Sequence, residues 1–76
     1  MVKRYAVITF RGYSMAASYQ EAKQAAKRAI DCIADDGFDD SYRWARIVDR
    51  NKHLSRLVYR IGGFYWWITP WVFKMS

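Results

Sequence analysis

The sequence predicts an α+β fold: a single helix packed on a small antiparallel sheet, in the order ββαβββ. Three observations predict it. Apolar residues recur at helical spacing only between Ser18 and Asp36. The flanking segments alternate with a period of two. Gly12, Gly37 and the Gly62-Gly63 pair separate these segments. At 76 residues, the chain is one domain spanning 1–76.

The first strand is Lys3 to Phe10, rich in strand formers, with Ala6, Ile8 and Phe10 on one face and Tyr5, Val7 and Thr9 on the other. Arg11-Gly12 reads as a tight turn in which glycine supplies a positive φ. Tyr13 to Ala17 then returns as a shorter strand, with Met15 opposite Ile8 and Tyr13 opposite Phe10.

Ser18 opens the helix. Ser18-Tyr19-Gln20-Glu21 is a capping box, in which the serine hydroxyl accepts the N–H of Glu21 and the glutamate reaches back. Ala22, Ala25, Ala26, Ala29, Ile30, Ile33 and Ala34 form one continuous apolar stripe, and Gly37 stops the helix after about Asp36. Because the stripe is mostly alanine, the helix can lie close to a sheet of larger side chains. Lys23, Lys27 and Arg28 face solvent, with Lys27 and Asp31 spaced as an i,i+4 ion pair.

Two strands follow an acidic loop, Tyr42 to Asp49 and Leu54 to Ile61, and Gly62-Gly63 turns the chain into Phe64 to Thr69. This last hairpin specifies its own register, with Ile61 opposite Phe64, Tyr59 opposite Trp66 and Leu57 opposite Ile68. Those six form an apolar face expected to pack on the helix. The reverse face, expected outside, carries Arg56, Val58 and Arg60 against Thr69, Trp67 and Tyr65; a one-residue slip would bury both arginines. The preceding hairpin has two readings. Pairing Asp49 with Lys52 puts Tyr42, Trp44 and Val48 in the core and Arg43 outside, and is preferred because it buries the larger apolar set. A five-residue loop instead shows Arg46 and Trp44. Pro70 cannot donate to a ladder, so it ends the last strand or marks an edge.

The outward face is the expected binding site. Between Arg43 and Trp71 the chain interleaves six basic residues with seven aromatics. Arg43, Arg50, Lys52, Arg56, Arg60, Tyr65 and Trp67 are the candidate partner-binding residues. Guanidinium groups grip phosphate or carboxylate and aromatic rings add stacking and contact area. Asp39 and Asp40 form a secondary candidate contact. They belong to Asp35-Asp36-Gly37-Phe38-Asp39-Asp40, which holds four of the seven acidic residues. Against thirteen basic residues this leaves a formal charge of +6, concentrated outside that loop, a field that attracts polyanions and acidic surfaces.

Chemistry of other kinds finds little support. The acidic loop lacks the spacing of a calcium loop. His53 is the only histidine, and Cys32, the only cysteine, reads as a small buried hydrophobe. No Gly-rich phosphate loop is present. No catalytic residue, metal or cofactor is therefore expected, and the chain reads as a non-enzyme. One cysteine excludes an internal disulfide and suits a reducing cytosol. The first ten residues have no apolar run of signal-peptide length, and Phe64 to Phe73 is too short to span a bilayer, so no membrane association is expected.

The β-hairpin, the alanine- and lysine-rich helix after Ser18, and the strands Arg46–Asp49, Leu57–Arg60 and Gly63–Trp67 together resemble small phage-encoded anti-CRISPR proteins. The resemblance is to inhibitors of type I (Cascade-like) surveillance complexes, and it covers about Tyr5 to Ile68. It implies a non-enzymatic inhibitor, cytoplasmic in a bacterial host, that meets a multi-subunit RNA-guided complex by protein–protein contact and blocks recognition of target DNA. It transfers no functional residue. At +6 the chain is not an acidic DNA mimic, so an acidic protein patch or the RNA–protein backbone is the implied contact. The residues themselves leave another reading open: a small basic module that binds DNA or RNA non-specifically through its Arg/aromatic face. A monomer or weak oligomer is expected.

Overall fold

A computed structural model describes residues 3–68 and the strand at 72–73. The chain runs β1 (Tyr5–Thr9), β2 (Gly12–Ala16), α1 (Tyr19–Asp35), one turn of 3-10 helix (Asp40–Tyr42), β3 (Trp44–Asp49), β4 (Leu54–Ile61), β5 (Phe64–Trp67) and β6 (Val72–Phe73). The ββαβββ order is therefore present, followed by the short β6. The strands form an antiparallel sheet in the order β2-β1-β3-β4-β5, with β6 continuing along the same edge of β4 beyond β5. Pro70 and Trp71 lie outside the described residues.

Local chemistry sets both helix ends. Ser18 Oγ accepts the Glu21 N–H at 3.2 Å, and the glutamate reaches back to the N–H of Ala17 rather than of Ser18. At the other end the Phe38 and Gly37 N–H groups bond the carbonyls of Ile33 and Ala34, with Gly37 at φ +90°. This is a Schellman closure, which needs a left-handed residue and so favours glycine.

The hairpins correct the expected turns. Thr9 pairs with Gly12 and Ile8 with Tyr13, so Phe10-Arg11 forms the first turn and Gly12, at φ +138°, begins the return strand. Both turn residues have negative φ; such a turn splays a hairpin, and the glycine after it restores the twist. The second hairpin pairs Asp49 with Leu54, neither of the two loops expected. Asp49 explains the four-residue loop, because its carboxylate accepts the N–H groups of Asn51 and Lys52 and bends the chain around itself. The last hairpin has the expected register, closed by Gly62 and Gly63 at positive φ, as a type I′ turn requires.

The helix covers the opposite face from the one expected. Val7, Ala16, Ala45, Ile47 and Val58 pack with Ala22, Ala26 and Ile30 in one buried cluster, and Tyr5, Tyr19, Ala25, Tyr65 and Trp67 close its margin. The apolar set Leu57, Tyr59, Ile61, Phe64, Trp66 and Ile68 lies on the other face, with Trp44, Arg46 and Val48. The reason is steric. An alanine stripe brings the helix close to the sheet, where small and β-branched residues fit and tryptophans do not. A helix about 10–12 Å across also spans only two or three strands about 4.8 Å apart. Here it lies over β1 and β3, reaches β2, and only grazes β4. Arg56, Arg60, Tyr65 and Trp67 therefore stand beside the helix rather than beneath it, and their long side chains fold against its flank. Cys32, expected inside, is exposed and accepts from Arg11 at 3.9 Å.

Candidate interaction surface

The face without a helix is built in cross-strand rows. Met15, Ala6, Val48 and Ser55 form the first; Tyr13, Ile8, Arg46 and Leu57 the second; Trp44, Tyr59 and Trp66 the third; Ile61 and Phe64 the last. Ile68 extends the second row through its N–H bond to the Leu57 carbonyl at 2.9 Å. Exposure rises toward both edges: Tyr13 is 74% exposed on β2, and Phe64 70% and Trp66 56% on β5. The Trp66 indole donates to the Ile61 carbonyl at 3.3 Å, which holds the ring along its hairpin. A shallow apolar groove of about 530 Å³ crosses the β1–β2 side, with Ile8, Phe10, Tyr13 and Met15 in its walls and Arg50 at its rim.

One corner of this face is rigidified by aromatic contact. The rings of Phe10, Phe38 and Tyr42 meet pairwise with centroids 5.0–5.3 Å apart, in tilted and edge-on arrangements. The Arg11 guanidinium lies 5.1 Å over Phe38 while pairing with Asp36 at 2.6 Å. The expected acidic lip is thus tied into the protein. Asp39 accepts the N–H and hydroxyl of Ser41, which hold its carboxyl below the usual range, and Asp40 pairs with Arg43 at 3.4 Å.

The expected partner-binding residues divide among three places. Arg43 donates to the Phe38 carbonyl at 2.7 Å, so it anchors the acidic loop. Arg50 and Lys52 remain at the exposed β3–β4 turn, Arg50 donating to the Lys3 carbonyl at 3.4 Å. Arg56, Arg60, Tyr65 and Trp67 line the helix flank. Arg60 pairs with Asp31 at 3.2 Å and the Tyr65 hydroxyl donates to the same carboxylate; burial, then this bond, raises the phenol's pKa. Arg56 donates to Tyr19 Oη at 2.6 Å and to the Ile68 carbonyl at 3.0 Å, with its guanidinium 5.2 Å over Trp67. Lys27 is not the partner of Asp31, since its ammonium sits 5.4 Å over the Tyr65 ring.

Tyr13, Tyr59, Phe64 and Trp66 are surface residues absent from the expected site, and Trp44 and Arg46, which only the less favoured reading of the β3–β4 hairpin showed outside, join them on this face. A signal for them exists in β3. Ala45 and Ile47 suit a helix made of alanine, and Arg46 between them does not, which assigns Arg46 and its face mates Trp44 and Val48 away from the helix. Charge on the open face is one-sided: Arg46 stands within it, Arg50 at its edge, and no carboxylate occupies any of its strand positions.

No group of three or more metal-ligating side chains occurs among the described residues, and no helix there is long and apolar enough to cross a membrane. Neither a protein-family model nor a curated protein nor a solved structure matches the chain.

Proposed function

We propose that this chain is a non-enzymatic interaction protein that docks through the open face of its sheet onto an apolar, acid-rimmed surface of a larger protein assembly. The observation that carries this reading is the arrangement of Tyr13, Trp44, Tyr59, Phe64 and Trp66 in continuous rows with Ile8, Leu57, Ile61 and Ile68, around a single arginine. Contiguous apolar patches of this kind are rare on proteins that act alone. Tryptophan, tyrosine and arginine supply most interface hot spots. The aliphatic residues favour a protein partner over a nucleic acid, since they offer a base neither charge nor a ring. The one-sided charge specifies acidic groups at the partner's rim.

The resemblance to inhibitors of type I surveillance complexes supplies the first partner to test, and blocked recognition of target DNA is the activity it implies. The test is capture of a reconstituted, guide-loaded type I complex on an immobilised sample of the chain, repeated with Phe64→Asp and Trp66→Asp. Saturable binding that both variants abolish supports the reading. Binding that survives both places the contact elsewhere.

A second reading rests on the same rings. Trp44, Tyr59, Trp66 and Arg46 would also suit the stacking of unpaired bases. Binding to single strands that weakens steeply with salt, without capture of the protein complex, would favour it.

A further inference from the structure

Lys23, Lys27, Arg56 and Trp67, which lie far apart in the sequence, meet in a cleft of about 260 Å³ between the helix and the β4–β5 edge, with Gln20 and Gln24 completing its walls. This cleft is on the opposite side of the sheet from the open face, so it is independent of the docking proposed above. We propose that it is an oxyanion site, and that its ligand is the phosphoryl group of a small phosphorylated molecule.

The donor inventory carries this. Three other arginines that reach the helix side from the sheet and its first turn are neutralised by a carboxylate: Arg4 by Asp49, Arg11 by Asp36 and Arg60 by Asp31. None of the three cations in the cleft is, among the described residues, and no carboxylate lines it. Arg56 has five N–H donors and gives one to Ile68 and one to Tyr19, so three remain for a ligand. Those two bonds also orient the guanidinium, which lies over Trp67. Lys23 and Lys27 are seated on rings, with their ammonium groups 5.0 Å from the Tyr19 centroid and 5.4 Å from that of Tyr65. The three cations thus converge on one cleft, with Lys23 half-buried and Lys27 exposed.

Charge and size select the ligand class. A carboxylate brings one charge and two oxygens to three cations and two side-chain amides. A phosphate monoester brings close to two charges and three acceptor oxygens, which match that set better. The volume falls below the roughly 300–1,000 Å³ of pockets that enclose a drug-sized ligand. The cleft therefore takes a headgroup and leaves the rest of its ligand outside.

The test is a titration of the full chain, followed by the backbone and side-chain amide resonances of Gln20 and Gln24. Inorganic phosphate, glycerol 3-phosphate, acetate and a short single-stranded DNA are compared at constant ionic strength. Saturable shifts with phosphate and glycerol 3-phosphate, weakened at least tenfold in Lys23→Gln/Lys27→Gln, are expected. Glutamine propagates a helix nearly as well as lysine, so the double variant keeps the fold. Equal affinity for acetate, equal affinity in the double variant, or shifts produced by the DNA alone would each overturn the proposal, the last by making the cleft a nucleic-acid backbone contact.

Discussion

Arg60 on β4 reaches around the helix flank to the carboxylate of Asp31, 3.2 Å away, although the two residues lie 29 positions apart in the chain. The Tyr65 hydroxyl meets the same carboxylate, so one helical aspartate fastens the last hairpin to α1. That fastening turns the arginine-bearing side of β4 and β5 toward the helix and leaves the aromatic side open.

Asp31→Asn therefore loosens the hairpin without unfolding the protein. The Asp31 side chain is 46% exposed, so the cost is under about 1 kcal/mol. Tyr65 reports the change more directly. Its phenol is raised by burial and by Asp31, so its contribution to stability is complete below about pH 10 and is lost as pH rises through the folded value. In Asp31→Asn the Tyr65 ring carbons, followed by NMR, should titrate at lower pH than in the parent. An unchanged midpoint would refute the role of the carboxylate.

Asp49 anchors the opposite end of the sheet. Its buried carboxylate takes Arg4 bidentately at 2.9 and 2.8 Å and also holds the β3–β4 turn. The guanidinium first, then the turn N–H groups against burial, keeps its pKa below the ordinary carboxylate value. A lowered folded pKa stabilises above the unfolded value of about 3.9 and loses that contribution as pH falls through the folded value. Asp49→Ala should cost about 1.5–3 kcal/mol at pH 7 in urea unfolding. The gap to the parent should shrink at more acidic pH, and a gap constant down to pH ~2 would contradict the assignment.

On the open face, stability and binding should separate. Phe64 and Trp66 are 70% and 56% exposed, so Phe64→Thr and Trp66→Thr, which keep a strand-forming residue, lower stability by under about 1 kcal/mol each. Hot-spot truncation at a docking surface costs about 2 kcal/mol or more, so affinity for the captured assembly should fall at least tenfold. Arg60→Lys, which keeps a cation beside Asp31 on the helix side, serves as the control and should bind as the parent does. The reverse pattern would return the site to the arginine face.

His53 is the one non-glycine residue at positive φ among those described, at +56° in the β3–β4 turn. The left-handed conformation costs an ordinary residue about 1–2 kcal/mol, partly offset by the flexibility glycine adds to the unfolded chain. His53→Gly should raise stability by about 0.5–1 kcal/mol, measured as a higher urea midpoint at unchanged slope. A lower midpoint would mean that the imidazole makes a compensating contact.

Much of the architecture was legible because it rests on local chemistry. Ser18 and Gly37 bound the helix through caps made within a few residues. Gly62-Gly63 sets the last hairpin, so Tyr59 and Trp66 sit opposite one another as expected. The first two hairpins were less legible. The Phe10-Arg11 turn depends on a glycine placed after it rather than within it. The loop after Asp49 depends on a carboxylate held in place by Arg4, a partner 45 residues away.

The sequence by itself determined which side chains travel together: Arg56, Val58, Arg60, Tyr65 and Trp67 on one side, and Leu57, Tyr59, Ile61, Phe64 and Trp66 on the other. Strand alternation and a tight glycine turn leave no other grouping. Only the tertiary structure decided which group meets the helix. The two orientations have the same alternation and the same register, and differ in how a narrow alanine helix fits across a five-stranded width of sheet. It lies over β1 and β3, where Val7, Ala45 and Ile47 are small enough to receive it. At its flank stand residues long enough to reach its polar sides, Arg60 to Asp31 and Arg56 to Tyr19. The tryptophans expected in the core are left on the surface for the same reason.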